Sequence, residues 1–78
     1  MKFERKKSID YTYYTTRAEK YWRKICADIN KIGNEYELSF CKLERGDIKD
    51  VKVIDWMFTD LERCKTYAEL FILWFLYA

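Results

Sequence analysis

Apolar residues between Thr16 and Gly33 recur at helical spacing. Counted from Ala18, the side chains of Tyr21, Trp22, Ile25, Cys26, Ile29 and Ile32 follow at offsets of three, four, seven, eight, eleven and fourteen. That spacing puts all seven on one side of a 3.6-residue helix. Thr16 and Glu19 stand three apart, the separation of a capping box, and Gly33-Asn34 supplies a left-handed stop. A helix is therefore expected over 16–33, with Arg17, Lys20, Arg23, Lys24 and Lys31 on its polar side.

The flanking stretches alternate instead. In Ser8–Tyr14, Ile9, Tyr11 and Tyr13 alternate with Asp10, Thr12 and Tyr14, a strand pattern in strand-favouring residues. Met1–Lys7 is charged, and is expected to be flexible or to begin an edge strand. Beyond Asn34, Tyr36, Leu38 and Phe40 face one way and Glu37 and Ser39 the other. Cys41 and Leu43 then carry apolar character to the second face, which points to a bulge or two-sided burial near residue 41. Glu44-Arg45-Gly46-Asp47 has turn chemistry. Val51–Phe58 carries large side chains on both faces, as a central strand would, so it pairs with the preceding strand in a hairpin.

Thr59 and Glu62 repeat the capping-box spacing and open a second helix. Leu61, Cys64, Ala68, Phe71, Ile72 and Phe75 form one stripe along it, and Leu70, Trp74 and Tyr77 form another. Thr66 and Glu69 repeat the box, so the helix has a possible second start or kink there. The predicted architecture is α+β: a β-α-β-β-α domain with a three-stranded antiparallel sheet in the order 1-3-2 and two helices packed on one face. Without its first strand it becomes a helix–hairpin–helix sandwich. One domain spanning 1–78 accounts for the chain, and at 78 residues it buries only about 60% of its unfolded surface.

Composition changes this picture little. Half the residues are apolar and 19% aromatic, which argues against disorder despite 36% charge. Charge is uneven along the chain. Residues 1–34 hold nine Lys/Arg against four Asp/Glu, a net of +5; residues 35–78 hold six against nine, a net of −3. Three widely separated cysteines, with no Cys-x-x-Cys pair and no early apolar run, indicate a reducing, cytoplasmic setting.

Catalytic chemistry is poorly represented. The chain has no histidine, which removes the commonest general base and transition-metal ligand. Ser8 and Ser39 lack partners by spacing, and no base accompanies a cysteine. Asp47, Asp50 and Asp55 match neither a calcium loop nor a two-metal cluster. No enzyme activity, cofactor or metal is expected. Arg45-Gly46-Asp47 is the integrin-ligand tripeptide, but it is also ordinary turn chemistry.

Two binding roles remain. The basic side of the first helix could neutralise phosphates, with Tyr11, Tyr13, Tyr14 and Trp56 as stacking surfaces on an open sheet face. A net charge of only +2 weakens that direct nucleic-acid reading. The preferred role is a protein-binding module, because Tyr, Trp, Phe, Met and Arg are the types enriched at interface cores. In size and composition, though in no motif, the chain resembles small phage and mobile-element proteins that block a host machine, anti-CRISPR proteins among them. The expectation is a non-enzymatic protein occupying a larger protein or ribonucleoprotein complex and blocking its nucleic-acid site. Arg17, Lys20, Arg23, Lys24, Tyr14, Glu44, Asp47 and Asp50 are the expected contacts. Leu70–Ala78 is too short and too closely preceded by charge to span a membrane. Leu70, Trp74 and Tyr77 then pack on the first helix, on a second copy in a homodimer, or on the partner.

Overall fold

A computed structural model describes residues 2–20, 23–44 and 47–77. Five strands follow one another in sequence: β1 (Glu4–Lys7), β2 (Thr12–Lys20), β3 (Arg23–Ile32), β4 (Glu35–Glu44) and β5 (Asp47–Val53). They form one antiparallel sheet in the order β1-β2-β3-β4-β5. Among the described residues a single helix, α1 (Leu61–Tyr77), packs across one face over β2, β3 and β4. This overturns the expected three-stranded sheet of order 1-3-2 with two helices.

The correction lies in residues 16–33. They form most of a β2–β3 hairpin in which Tyr14, Thr16 and Ala18 oppose Ile29, Ala27 and Ile25. The segment satisfies two periods at once. Ala18, Ile25, Ile29 and Ile32 fit 3.6, whereas Ile25, Ala27 and Ile29 fit a period of two, and these last three are fully buried. β-Branched side chains favour the strand, and the two neighbouring strands complete the backbone hydrogen bonds. Thr16 caps no helix: its hydroxyl donates to the Lys2 carbonyl at 2.9 Å, fastening the N-terminal segment beside β2. Gly33 does adopt the left-handed conformation, with φ of 63°. It does so in a two-residue hairpin loop with Asn34, closed by the Ile32–Glu35 pair. Tyr21 and Trp22 lie outside the described residues.

The strand expected over 8–14 is displaced: residues 8–11 form the β1–β2 turn, closed by the Ser8 N–H donating to the Tyr11 carbonyl, with Ile9 exposed, and β2 begins only at Thr12. In β4, Leu38 and Phe40 are buried and Tyr36 half-buried, all on the helix side. The β4–β5 register shifts between Lys42 and Leu43, close to where the pattern changes face. The second apolar strand is not central. β5 is an edge strand ending at Val53, and Val51 is 60% exposed. The chain then stays beside β4 through an Ile54 N–H bond to the Leu38 carbonyl and a reciprocal Tyr36–Phe58 pair. The helix cap is Asp60 rather than Thr59, its carboxylate accepting from the Glu62 and Arg63 N–H groups at 2.9 and 3.4 Å. Thr66 sits mid-helix and donates to the Glu62 carbonyl at 3.0 Å, with no restart or break in the 17-residue helix.

Cys64, Ala68, Ile72 and Leu76, four apart, seal the helix onto Ile25, Ala27, Ile29, Leu38, Phe40 and Ile54. Phe71 stacks on Phe40 with ring centroids 4.2 Å apart. Ala27 and Ala68 are small and fully buried, and so let helix and sheet approach closely.

Candidate protein-binding surface

The fold leaves the two sides of α1 very different. Its inner side is the core; its outer side begins with exposed Arg63 and Thr66 and becomes apolar toward the C-terminus. Leu70, Trp74 and Tyr77 are 64%, 63% and 64% exposed, and Leu73 beside them is 46% exposed. Offsets of three, four and seven from Leu70 put these four on one continuous ridge. Packing against a helix over 16–33, one expected fate of this stripe, does not occur. Leu73 belongs to the ridge beyond the predicted stripe of Leu70, Trp74 and Tyr77, and the same helical offsets identify it.

Cations brace the ridge from the sheet. The Lys20 ammonium lies 3.7 Å from the centroid of the Tyr77 ring. The Arg23 guanidinium lies 5.6 Å from that of Phe75 and donates to the Phe75 carbonyl at 3.2 Å. That carbonyl is near the helix end, where backbone acceptors lack intrahelical partners, so Arg23 acts as a C-terminal cap. Lys42 and Lys52 lie over Phe71, and Lys65 over Tyr14. Such contacts hold the helix orientation and desolvate little.

A shallow groove of about 420 Å³ runs beside the ridge, lined by Phe58, Glu62, Arg63, Thr66, Tyr67 and Leu70. Trp56, expected as a stacking surface on the sheet, instead meets Tyr67 edge-on at 5.6 Å and is half-exposed. Phe58 and Tyr67 in the groove and Trp74 and Tyr77 on the ridge place aromatic rings along this side, interrupted by Glu62, Arg63 and Thr66.

The expected basic surface is dispersed. Arg17 and Lys24 project from the uncovered sheet face, where Lys24 meets Glu19 at 3.6 Å. Lys20 and Arg23 project to the helix side, engaged as above. Tyr14 also lies on the helix side, packed against the core. Asp47 is exposed at the start of β5, pairing with Glu44 in the backbone register, while Asp50 pairs with Lys42. The side chains of Glu44 and Asp50 lie outside the described parts, as do Arg45, Gly46 and Ala78. On the uncovered face, Tyr13 stands 5.7 Å from Tyr11 in a shallow polar hollow of about 450 Å³. Lys6 and Arg17 share that hollow with Asp28, so its charge is mixed.

Among the described residues, no helix is long and apolar enough to cross a membrane. No protein-family model, curated protein or solved structure matches the chain.

Proposed function

We propose that the protein is a small non-enzymatic binding module that presents the outer ridge of α1 to a hydrophobic groove on a larger protein or ribonucleoprotein complex. The observation that carries this reading is the exposure of Leu70, Leu73, Trp74 and Tyr77 on a helix whose other side is sealed into the core. Helix-in-groove docking uses anchors at such i, i+3, i+4 and i+7 positions. Large exposed apolar patches on small proteins mark interaction sites.

Area favours a groove over a second copy. With roughly 180–250 Å² per large side chain, the four exposures leave on the order of 500 Å² of ridge. Two ridges in contact would bury about 1,000 Å² in total, below the ~1,200 Å² at which stable interfaces begin. A groove also reaches the half-exposed flanks of the helix and buries more. The cytoplasmic setting expected from the number and spacing of the cysteines belongs to the same reading. Direct nucleic-acid binding is not retained as a second reading. It combines a basic helical stripe with sheet aromatics: the stripe's cations lie on opposite faces of the sheet, Tyr14 and Trp56 pack on the helix side, and the open face mixes Lys6 and Arg17 with Glu4, Asp28 and Glu37.

Solution mass and folding measured together test the reading. The native chain at micromolar concentration is expected to have the mass of one chain, and Trp74→Glu to remain folded at that mass. A stable dimer split by Trp74→Glu would replace the groove with a second copy. An unfolded Trp74→Glu chain would place the tryptophan in a core.

A further inference from the structure

Cys26 and Cys41 oppose one another across the two strands nearest the centre of the sheet. They are register partners of β3 and β4. Their neighbours Ile25, Ala27 and Phe40 are buried beneath the helix, so strand alternation turns both thiols to the uncovered face. Each is only partly shielded. Across the sheet the row runs Arg17, Cys26, Cys41, Val51.

The backbone fixes the spacing of the pair. Tyr36 exchanges both its hydrogen bonds with Phe58, and the Leu38 carbonyl accepts from Ile54. Even-numbered β4 residues therefore turn their backbone groups away from β3, and odd-numbered ones turn toward it. Cys41 consequently forms a hydrogen-bonded pair with Cys26, whose Cα atoms stand about 5.5 Å apart. Disulfides span Cα separations of roughly 4.4–6.8 Å. The Cβ atoms of a hydrogen-bonded pair stand about 5.5 Å apart and must close by about 1–2 Å to reach disulfide separation, which strains the bond and makes it readily reversed.

We propose that Cys26 and Cys41 form a reversible covalent modification site, closing to an intramolecular disulfide with a low-molecular-weight disulfide of the glutathione class as oxidant. One cysteine thiolate attacks a sulfur of glutathione disulfide, forming a mixed disulfide and releasing one glutathione thiolate. The facing cysteine, as thiolate, attacks the protein-side sulfur, forming the Cys26–Cys41 bond and releasing the second. Two electrons pass from the protein dithiol to the glutathione disulfide, and the two thiol protons end on two glutathione molecules. The product staples β3 to β4 directly under the helix-bearing core.

The surroundings set the conditions. Burial holds the Cys26 thiol above its ordinary value, offset in part by nearby Arg17. Its thiolate is therefore scarce at neutral pH, and exchange accelerates as pH rises. Cys64 stands apart, buried in the core, where desolvation pushes its pKa up to about 11.

The test uses the reduced full chain with glutathione disulfide at about pH 8.5. The expected product has lost two of its three thiols and weighs about 2 Da less, one hydrogen per thiol. Its Cys26 and Cys41 peptides are joined, its circular dichroism is unchanged, and a dithiol reductant restores the starting mass. Cys26→Ser and Cys41→Ser, which preserve shape, should each stop at a glutathione mixed disulfide. The proposal is overturned if the native chain also stops there, if bonds join separate chains or Cys64, or if the linked product has lost the folded spectrum.

Discussion

Ile72 and Trp74 are two residues apart on α1 and face opposite ways, so truncating each to alanine separates core from ridge. Ile72 is fully buried, and removing a buried Ile side chain costs about 2–5 kcal/mol once the cavity is included. Trp74 is 63% exposed. At roughly 250 Å² for the side chain, some 90 Å² is shielded, worth about 2 kcal/mol as an upper limit. Phe71, one turn away with its ring 5.8 Å from that of Trp74, supplies part of that shielding, and this part persists in any helical state. Alanine also gains about 0.5 kcal/mol of helix propensity over tryptophan. The net cost of Trp74→Ala is therefore about 1 kcal/mol, smaller than that of Ile72→Ala although more atoms are removed. Thermal unfolding followed by circular dichroism measures both, at dilutions where self-association is negligible. In a domain this small each kcal/mol moves the thermal midpoint by about 4–8 °C, so the order is easily resolved. A Trp74→Ala loss equal to or above that of Ile72→Ala would refute the exposed ridge, since a packed tryptophan costs about 3–5 kcal/mol to truncate.

Far-ultraviolet circular dichroism should report 17 helical residues of 78, about a fifth of the chain; nearly half would restore a helix over 16–33. Arg23→Ala should cost about 1–2 kcal/mol, with amide exchange in the last turn of α1 accelerating first, and Arg23→Lys should recover only part of this because it lacks the planar fork; unchanged exchange there would remove Arg23 as the helix cap. The Cys64 thiol is held neutral by burial, its pKa raised to about 11 from 9.0. Below pH 9 both folded and unfolded thiols are neutral; between 9 and 11 only the unfolded one ionises. Stability should therefore fall across that window by about 2–3 kcal/mol, and Cys64→Ala should remove that component of the fall. An identical pH dependence in the two chains would contradict the burial of Cys64.

The C-terminal helix is legible because its apolar residues admit one period: Leu61, Cys64, Ala68, Ile72 and Phe75 cannot alternate as a strand. β4 is legible for the converse reason. Residues 16–33 are ambiguous because Ile25 and Ile29 belong to both a four-residue and a two-residue series. Ala27, the residue that completes the strand series, carries little weight in a helical pattern. Only the pairing with Tyr14–Ala18 on one side and Leu38–Lys42 on the other decides between them, and such pairing is non-local. The surface changes with the same hairpin. A basic stripe counted at helical offsets becomes two groups of cations on opposite sheet faces, and Lys20 and Arg23 become braces for α1. The second helical stripe, Leu70, Trp74 and Tyr77, was legible, but its exposure depends on what packs nearby. Cys26 and Cys41, fifteen residues apart, meet only through the register set by Gly33 and Asn34.

Nuclease-treated capture from a lysate of the source organism, compared across surface variants, tests the ridge most directly. The native chain and Arg17→Glu, altered on the uncovered sheet face, are predicted to retain the same protein partner. The Leu70→Glu and Trp74→Glu double variant is predicted to lose it while keeping the native circular dichroism. Retention by the folded double variant, or loss by Arg17→Glu, would contradict binding through the outer face of α1.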